Sequence, residues 1–300
     1  MSGEDPISSY YYAAVSAHFQ YLLNKENIVD PESIDWLSES IEVFDWAESN
    51  TPDNFSCHQH RLNSVRAYAA AALYRLTEEM KYKEVFEEIW TELVNFNQLL
   101  NEEAYGPFIY LNMQKELLNE EIHDTILNIV IETADFLLID PINSRACRWG
   151  GNMYFPMLVG QPSTPFIFEG LVAFKLISKL YPEKAAQYLE SIHTTADYFL
   201  GANPLNMTWI TGLGEKSPYG VLHLDSWASG DGSVKPGIVP YGPWKQDSYS
   251  VMGPWDHHWP EQFVYPSIDQ WPGHERWFEQ RGAALGPEFT IHQNNIYSAA

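Results

Sequence analysis

The chain has 300 residues, 45% hydrophobic and 19% charged, and its 17 Lys and Arg against 40 Asp and Glu give a net charge of −23. That balance excludes a nucleic-acid interface, which needs clustered cations to neutralise phosphates, and an anionic membrane surface. No apolar run approaches the ~20 residues of a membrane span, and Met1-Ser2-Gly3-Glu4-Asp5-Pro6 has neither the basic start nor the apolar core of a signal peptide.

In chain order, Ser8 or Ser9 is suited to cap a helix running through Tyr10 to about Leu23. Pro31-Glu32-Ser33 opens a second, with Ile34, Trp36, Leu37, Ile41, Phe44 and Trp46 on its apolar face. A third runs from about Gln59 to Leu76, and its centre, Ala67 to Ala72, is small enough for close helix packing. Lys83 to Leu100, Asn119 to Leu138, Pro165 to Leu180 and Glu183 to Leu200 make four more, the last two joined by Tyr181-Pro182. Strand-period alternation of any length is missing, and so is a fixed-period repeat. Helices in antiparallel succession predict an all-α solenoid or toroid.

Composition changes after Leu200: Gly, Pro and Trp become dense, and helical periodicity vanishes until Phe289. Trp209, Trp227, Trp244, Trp255, Trp259, Trp271 and Trp277 would be costly to leave in water, so 201–287 reads as ordered loops covering one end of a helical scaffold. Sugar sites combine aromatic platforms with carboxylates, amides and histidines. Trp255-Asp256-His257-His258-Trp259 and Trp271-Pro272-Gly273-His274-Glu275-Arg276-Trp277 hold that mixture. The same tryptophans would equally serve to plug loops onto helices.

Asp256, His257 and His258 make a poor metal set, because adjacent side chains seldom converge on one ion. Cys57 and Cys147 have no metal or redox spacing, and whether they pair stays open. Neither a phosphate-binding loop nor a nucleophile elbow occurs.

Gly286-Pro287-Glu288-Phe289-Thr290-Ile291-His292-Gln293-Asn294 puts a carboxylate after a proline, at what reads as the start of a final helix, 288–300. A helix N-terminus favours the charged form and lowers its pKa. A general acid needs the opposite shift, which burial against aromatics supplies. Composition alone leaves a helix-capping Glu and a sugar-cleaving acid both open.

Residues 196–214, Ala-Asp-Tyr-Phe-Leu-Gly-Ala-Asn-Pro-Leu-Asn-Met-Thr-Trp-Ile-Thr-Gly-Leu-Gly, resemble the glycoside hydrolase family 9 segment D-Y-x-L-G-x-N-P-x-x-x-S-[FY]-V-T-G-x-G. Three further blocks keep the family's order. Arg148-Trp149-Gly150-Gly151-Asn152 resembles W-G-S-N; Pro236-Gly237-Ile238-Val239-Pro240-Tyr241-Gly242-Pro243 resembles P-G-[IL]-x-V-x-G-P; and 288–294 resembles N-E-[FV]-[AT]-[IV]-x-x-N. The resemblance covers roughly residues 8–300. It implies one catalytic domain with an (α/α)6 toroid over helices ~8–200 and an active-site cleft at the loop-rich end. It implies inverting hydrolysis of β-glycosidic bonds in oligo- or polysaccharides, where a protonated acid serves the leaving oxygen and a second carboxylate activates water. Carried over by position, Glu288 is the general acid, Trp149 a sugar platform and His223 a hydroxyl contact, with Asp225 and Tyr241 beside the bound sugar. The resemblance implies no cofactor, leaves room for a structural calcium, and suggests a secreted or periplasmic setting.

The departures from the pattern are specific. Family members carry the water-activating aspartates in a D-A-G-D segment; neither it nor any D-x-x-D pair occurs here, and Gly230-Asp231-Gly232 is in the wrong position to replace it. The expectation is a fragment, an incomplete toroid lacking the first helices and the very end, that holds the acid but not the base. The alternative is a non-catalytic carbohydrate-binding or structural remnant of the fold. Val221-Leu222-His223-Leu224-Asp225-Ser226 stands where cellulase-like members have H-H-R, so a charge is reversed. That resembles the branch acting on chain ends or amino sugars, although an Asp capping a loop explains the residue equally well. Pro287 stands where Asn is usual. A toroid for isoprenoid or peptide chemistry would need a D-D-x-x-D run or a Cys/His zinc set, and neither is present.

Overall fold

The computed structural model describes residues 5–52, 58–94, 102–148, 150, 167–230, 234–243, 265–266, 270–277, 279 and 286–289. The chain divides into two compact units, Met1–Thr133 and Ala134–Ala300. Among the described residues there are helices and irregular loops and no strand, as the hydrophobic pattern predicts.

In the first unit, α1 (Pro6–Glu26) starts earlier than Ser8 or Ser9. Its cap is Asp5, whose carboxylate accepts from the Ile7 N–H at 3.3 Å and the Ser8 N–H at 3.1 Å. Pro6 decides the register, because its fixed φ and missing donor suit the first helical position. The second helix, α2 (Trp36–Asn50), starts later than Pro31. Asp30 accepts from the N–H groups of Glu32 and Ile34 and from Trp36 Nε1, which makes 31–34 a turn, and Asp35 takes the cap from the Ser38 N–H.

The centre of this unit is α3 (Gln59–Thr77), packed by α1, α4 (Met80–Ile89) and α5 (Glu102–Leu111). Ala67, Ala69, Ala70, Ala71 and Ala72 are fully buried, so the small-residue centre is the packing face. A Cβ at Gly106 of α5 would lie 2.9 Å from both the carbonyl carbon and oxygen of Ala67, so only glycine permits this approach. Sequence reading misses α5 because Gly106-Pro107 interrupts it, and burial of Phe108, Ile109, Tyr110 and Leu111 outweighs that poor propensity. After α4, a 3-10 turn covers Trp90–Leu93 and Val94 is extended, so the expected Lys83–Leu100 helix breaks there; 95–100 lie outside the described residues. The chain leaves this unit through α6 (Glu120–Ala134).

The helix expected over Asn119–Leu138 is in fact segmented: α6, a π-helical turn over Asp135–Ile139, then α7 (Asp140–Ser144), with Pro141 in its first turn. In the second unit α8 (Ile167–Ile177) packs on α9 (Pro182–Phe199). Both Gly150 and Gly170 press on Leu138, where an added Cβ would stand 2.4 Å and 2.1 Å from its methyl carbons. Beyond α9 the described backbone is irregular except for α10 (Leu224–Ala228) and a 3-10 turn at Gly273–Glu275. Trp209 is fully buried against Tyr198, Met207 and Val239, whereas Trp227 is exposed. Trp244, Trp255 and Trp259 lie outside the described residues.

Candidate active site

The loop that leaves α9 is built on Asn203. Its side-chain amide donates to the carbonyls of Tyr198 and Met207, each at 2.8 Å, and its oxygen accepts from the Leu205 N–H at 3.1 Å. This buried staple turns the chain back so that the Trp209 N–H reaches the Phe199 carbonyl at 2.9 Å. Thr211 then joins two of the blocks picked out in sequence. Its N–H donates to the Ile238 carbonyl, its carbonyl accepts from Gly237, and its hydroxyl bonds the Lys235 carbonyl and accepts from the Ile238 N–H. Gly212 and Gly237 both sit at positive φ, 73° and 90°, conformations open to glycine. A Cβ at Gly212 would stand 2.9 Å from Pro236 Cβ.

The segment 286–289 is carried by this platform. The Gly242 N–H donates to the Gly286 carbonyl at 3.0 Å, the Tyr241 N–H to Glu288 at 2.7 Å, and the Leu222 N–H to Pro287 at 2.9 Å. Glu288 is therefore gripped through its backbone from two sides. The backbone through Phe289 is non-helical, so the described part of the expected 288–300 helix is not a helix start, and the remainder lies outside the described residues. The Glu288 carboxyl is half-buried, and burial holds it above the ordinary glutamate range. Burial first, then the negative charge of Glu288, pushes up the Tyr241 phenol.

His223 caps α10: its Nδ1 accepts from the Ser226 N–H at 3.1 Å. With Nδ1 occupied as an acceptor, the neutral ring carries its proton on Nε2. The ring stacks on Phe289, centroids 6.0 Å apart at 19°. Because His223 is the cap, Asp225 is not, and its side chain stands exposed in the first turn of α10. Trp149 lies outside the described residues, as do Asp231, Asp256, His257 and His258. Beside Trp149, Arg148 has φ 45° and the Gly150 N–H donates to Thr195 Oγ1 at 2.9 Å.

Glu279 is a tie beside the candidate site that sequence reading misses. Its Oε2 accepts from the N–H groups of Tyr219 at 3.0 Å and Gly220 at 2.7 Å, and its Oε1 accepts from Trp277 Nε1 at 3.0 Å. Trp277 in turn meets Trp209 edge-to-face at 5.1 Å and lies 3.6 Å from where a Gly286 Cβ would be. One carboxylate thus ties the segment entering His223 to the aromatic wall beside the Glu288 segment. Its only sequence signal is an acid two residues after a tryptophan. A second anchor joins Tyr198 to His274 Nδ1. Burial, then the charge of Arg145, lowers the His274 pKa to about 4.

Among the described residues no three carboxylate, histidine or cysteine side chains converge as metal ligands. No helix among them is long and apolar enough to cross a membrane.

Residues 8–252 match the sequence pattern of glycosyl hydrolase family 9. The chain belongs to glycosyl hydrolase family 9. Solved structures with the same fold include AaCel9A in complex with cellobiose-like isofagomine, TM-score 0.71 at 17% identity, covering 98% of this chain and 54% of that one. An endoglucanase from the termite Nasutitermes takasagoensis gives 0.60 at 20% identity, covering 82% and 59%. Endoglucanase CelQ from Clostridium thermocellum complexed with cellotetraose gives 0.52 at 17%, covering 80% and 43%. No curated protein matches the chain. The family 9 chain shares the all-α fold of these structures and spans about half of their length, which fits an incomplete (α/α)6 toroid.

Proposed function

We propose that this family 9 chain is the acid-bearing part of a hydrolase that cleaves β-glycosidic bonds in oligo- or polysaccharides with inversion. The observation that carries the reading is Glu288: a carboxyl with no hydrogen bond or ion pair among the described residues, raised in pKa by burial and fixed through its backbone. A group in that state keeps a proton to higher pH and is held still while it delivers it. The Glu288 O–H gives its proton to the glycosidic oxygen as the bond to the anomeric carbon breaks. A second carboxylate takes a proton from the water whose oxygen bonds that carbon from the opposite face. His223 Nε2–H suits donation to a sugar hydroxyl, Trp149 and Tyr241 supply aromatic surface, and the exposed carboxylate of Asp225 accepts from hydroxyls or pairs with an amino sugar. The relatives solved with a cellobiose-like isofagomine and with cellotetraose support β-linked glucose oligomers as the first substrates to try.

The partner carboxylate belongs about 6.5–9.5 Å from the acid in inverting enzymes. No D-A-G-D segment occurs in the 300 residues, which favours a second reading, a carbohydrate-binding member of the fold without turnover. Turnover of cellotetraose by wild type and Glu288→Gln separates the two. Hydrolysis by wild type that falls about 10²–10⁴-fold in the variant supports the acid, and near-normal turnover in Glu288→Gln sinks it. Binding without hydrolysis, by this chain and also by a longer form that supplies a partner carboxylate, supports the second reading. If wild type is active, Asp225, Asp231 and Asp256 are the base candidates to substitute.

A further inference from the structure

The second unit holds a groove of about 610 Å³ where the π-helical turn and α7 face the turn into α9. Its floor is rigid. Asp135 accepts from Lys184 Nζ at 2.6 Å through one carboxylate oxygen and from the Tyr188 hydroxyl at 2.7 Å through the other. Its rim is the reverse: the side chains of Asp140, Glu183, Gln187 and Tyr181 line it with no hydrogen bond or ion pair among the described residues. Tyr181 and Leu180 are 55% and 64% exposed, side by side at the mouth, an apolar platform that no neighbouring described element covers. A π-helical turn forgoes ordinary helix geometry and often marks a functional site; here it turns Asp135 toward α9.

This groove is separate from the loops that carry Glu288. It lies at the start of α9, whose 18 residues span about 27 Å, and the Asn203 loop follows the other end. An aromatic and aliphatic platform ringed by unpaired acceptors is the complement of a pyranose, with its apolar face and outward hydroxyls. Three carboxylates against one ammonium repel an anionic sugar or a phosphate.

We propose that the groove is an outlying site for a neutral β-linked oligosaccharide. Tyr181 stacks on one ring, and Asp140, Glu183 and Gln187 bond its hydroxyls. The proposal rests on the glycan-cleaving reading for its choice of ligand. A chain held there and at the loop end together is retained by effective concentration, without tighter contact at either site.

The test is titration of ¹⁵N-labelled Glu288→Gln protein with cellotetraose, followed by amide shifts, beside the same titration of Glu288→Gln/Tyr181→Ala. Shifts at 180–187 that saturate, with affinity reduced about tenfold by Tyr181→Ala and shifts at 241–242 unchanged, support the groove. Absence of any shift at 180–187, or shifts of equal affinity in both proteins, overturns it. Shifts at 180–187 with none at 241–242 keep the groove and count against the loop-end site instead. Tyr181 is largely exposed, so the substitution leaves the fold intact, and unchanged far-shifted methyl resonances verify that.

Discussion

The Tyr241 N–H donates to the Glu288 carbonyl across 2.7 Å, which sets a phenol and a carboxyl side by side on adjoining segments. Burial raises both groups, and the charge of Glu288 adds to the rise at Tyr241. For Glu288 the folded pKa lies above its unfolded value. Its contribution to stability is then present below the ordinary glutamate range and is lost as pH rises through the raised value. Glu288→Gln cannot ionise. The variant is expected to match wild type in melting temperature near pH 3 and to exceed it at pH 7. Melting curves across that range check this, and a variant that is less stable than wild type only at neutral pH contradicts it.

Glu279 is expected to matter through the groups it satisfies. Glu279→Ala leaves the N–H groups of Tyr219 and Gly220 and the Trp277 indole without their acceptor. Unpaired donors of this kind cost about 1–3 kcal/mol in total when part-buried. Glu279→Gln keeps one oxygen for the two backbone donors and loses the indole bond, so it should fall between. Urea unfolding measures the order. A ¹³C titration of the Glu288 carboxyl gives a second reading: if Trp277 slackens and water enters, its pKa drops toward the ordinary range in Glu279→Ala.

What could be read from the sequence divides along physical lines. The buried alanines of α3 are legible, because a run of small residues leaves a local mark; the blocks that hold Thr211-Gly212 and Pro236-Gly237 are legible singly, but their pairing is not. The α5 helix was not, since Gly106-Pro107 breaks a helical pattern and only tertiary burial restores it. The start of α1 was misassigned because Asp and Ser cap equally well, and Pro6 settles the choice only when its ring is placed at the first turn. Glu279 was hidden because its partners are backbone N–H groups 59 and 60 residues away, which have no sequence signature. Glu288 was legible as a residue of interest, but its helix-start setting was wrong; burial, not a helix dipole, governs its pKa.

Gly106→Ala tests the closest helix contact in the first unit. The added methyl meets the Ala67 carbonyl at 2.9 Å, and backbone atoms cannot swing aside as a flexible side chain can. Alanine improves helix propensity by up to ~1 kcal/mol, but forcing α5 off α3 is expected to outweigh it, for a net loss of about 1–3 kcal/mol. A urea midpoint equal to or above that of wild type would show that α5 shifts freely.

His274 should give the opposite pH slope to Glu288. Burial and the Arg145 charge lower its folded pKa to about 4, below the ordinary histidine value of 6.5. The unfolded chain therefore binds a proton that the folded one refuses. Stability from this group is complete above pH ~6.5 and is lost as pH falls toward 4. Burial, then the nearby Arg75 charge, gives His18 in the first unit the same direction and the same value of about 4. His274→Gln keeps an oxygen that accepts from the Tyr198 hydroxyl and cannot be protonated. Between pH 6.5 and 4 the variant is expected to lose about 1–2 kcal/mol less than wild type, after allowance for solvent screening. Urea denaturation at both pH values decides it: parallel losses in the two proteins would mean that His274 takes up its proton without cost to the fold.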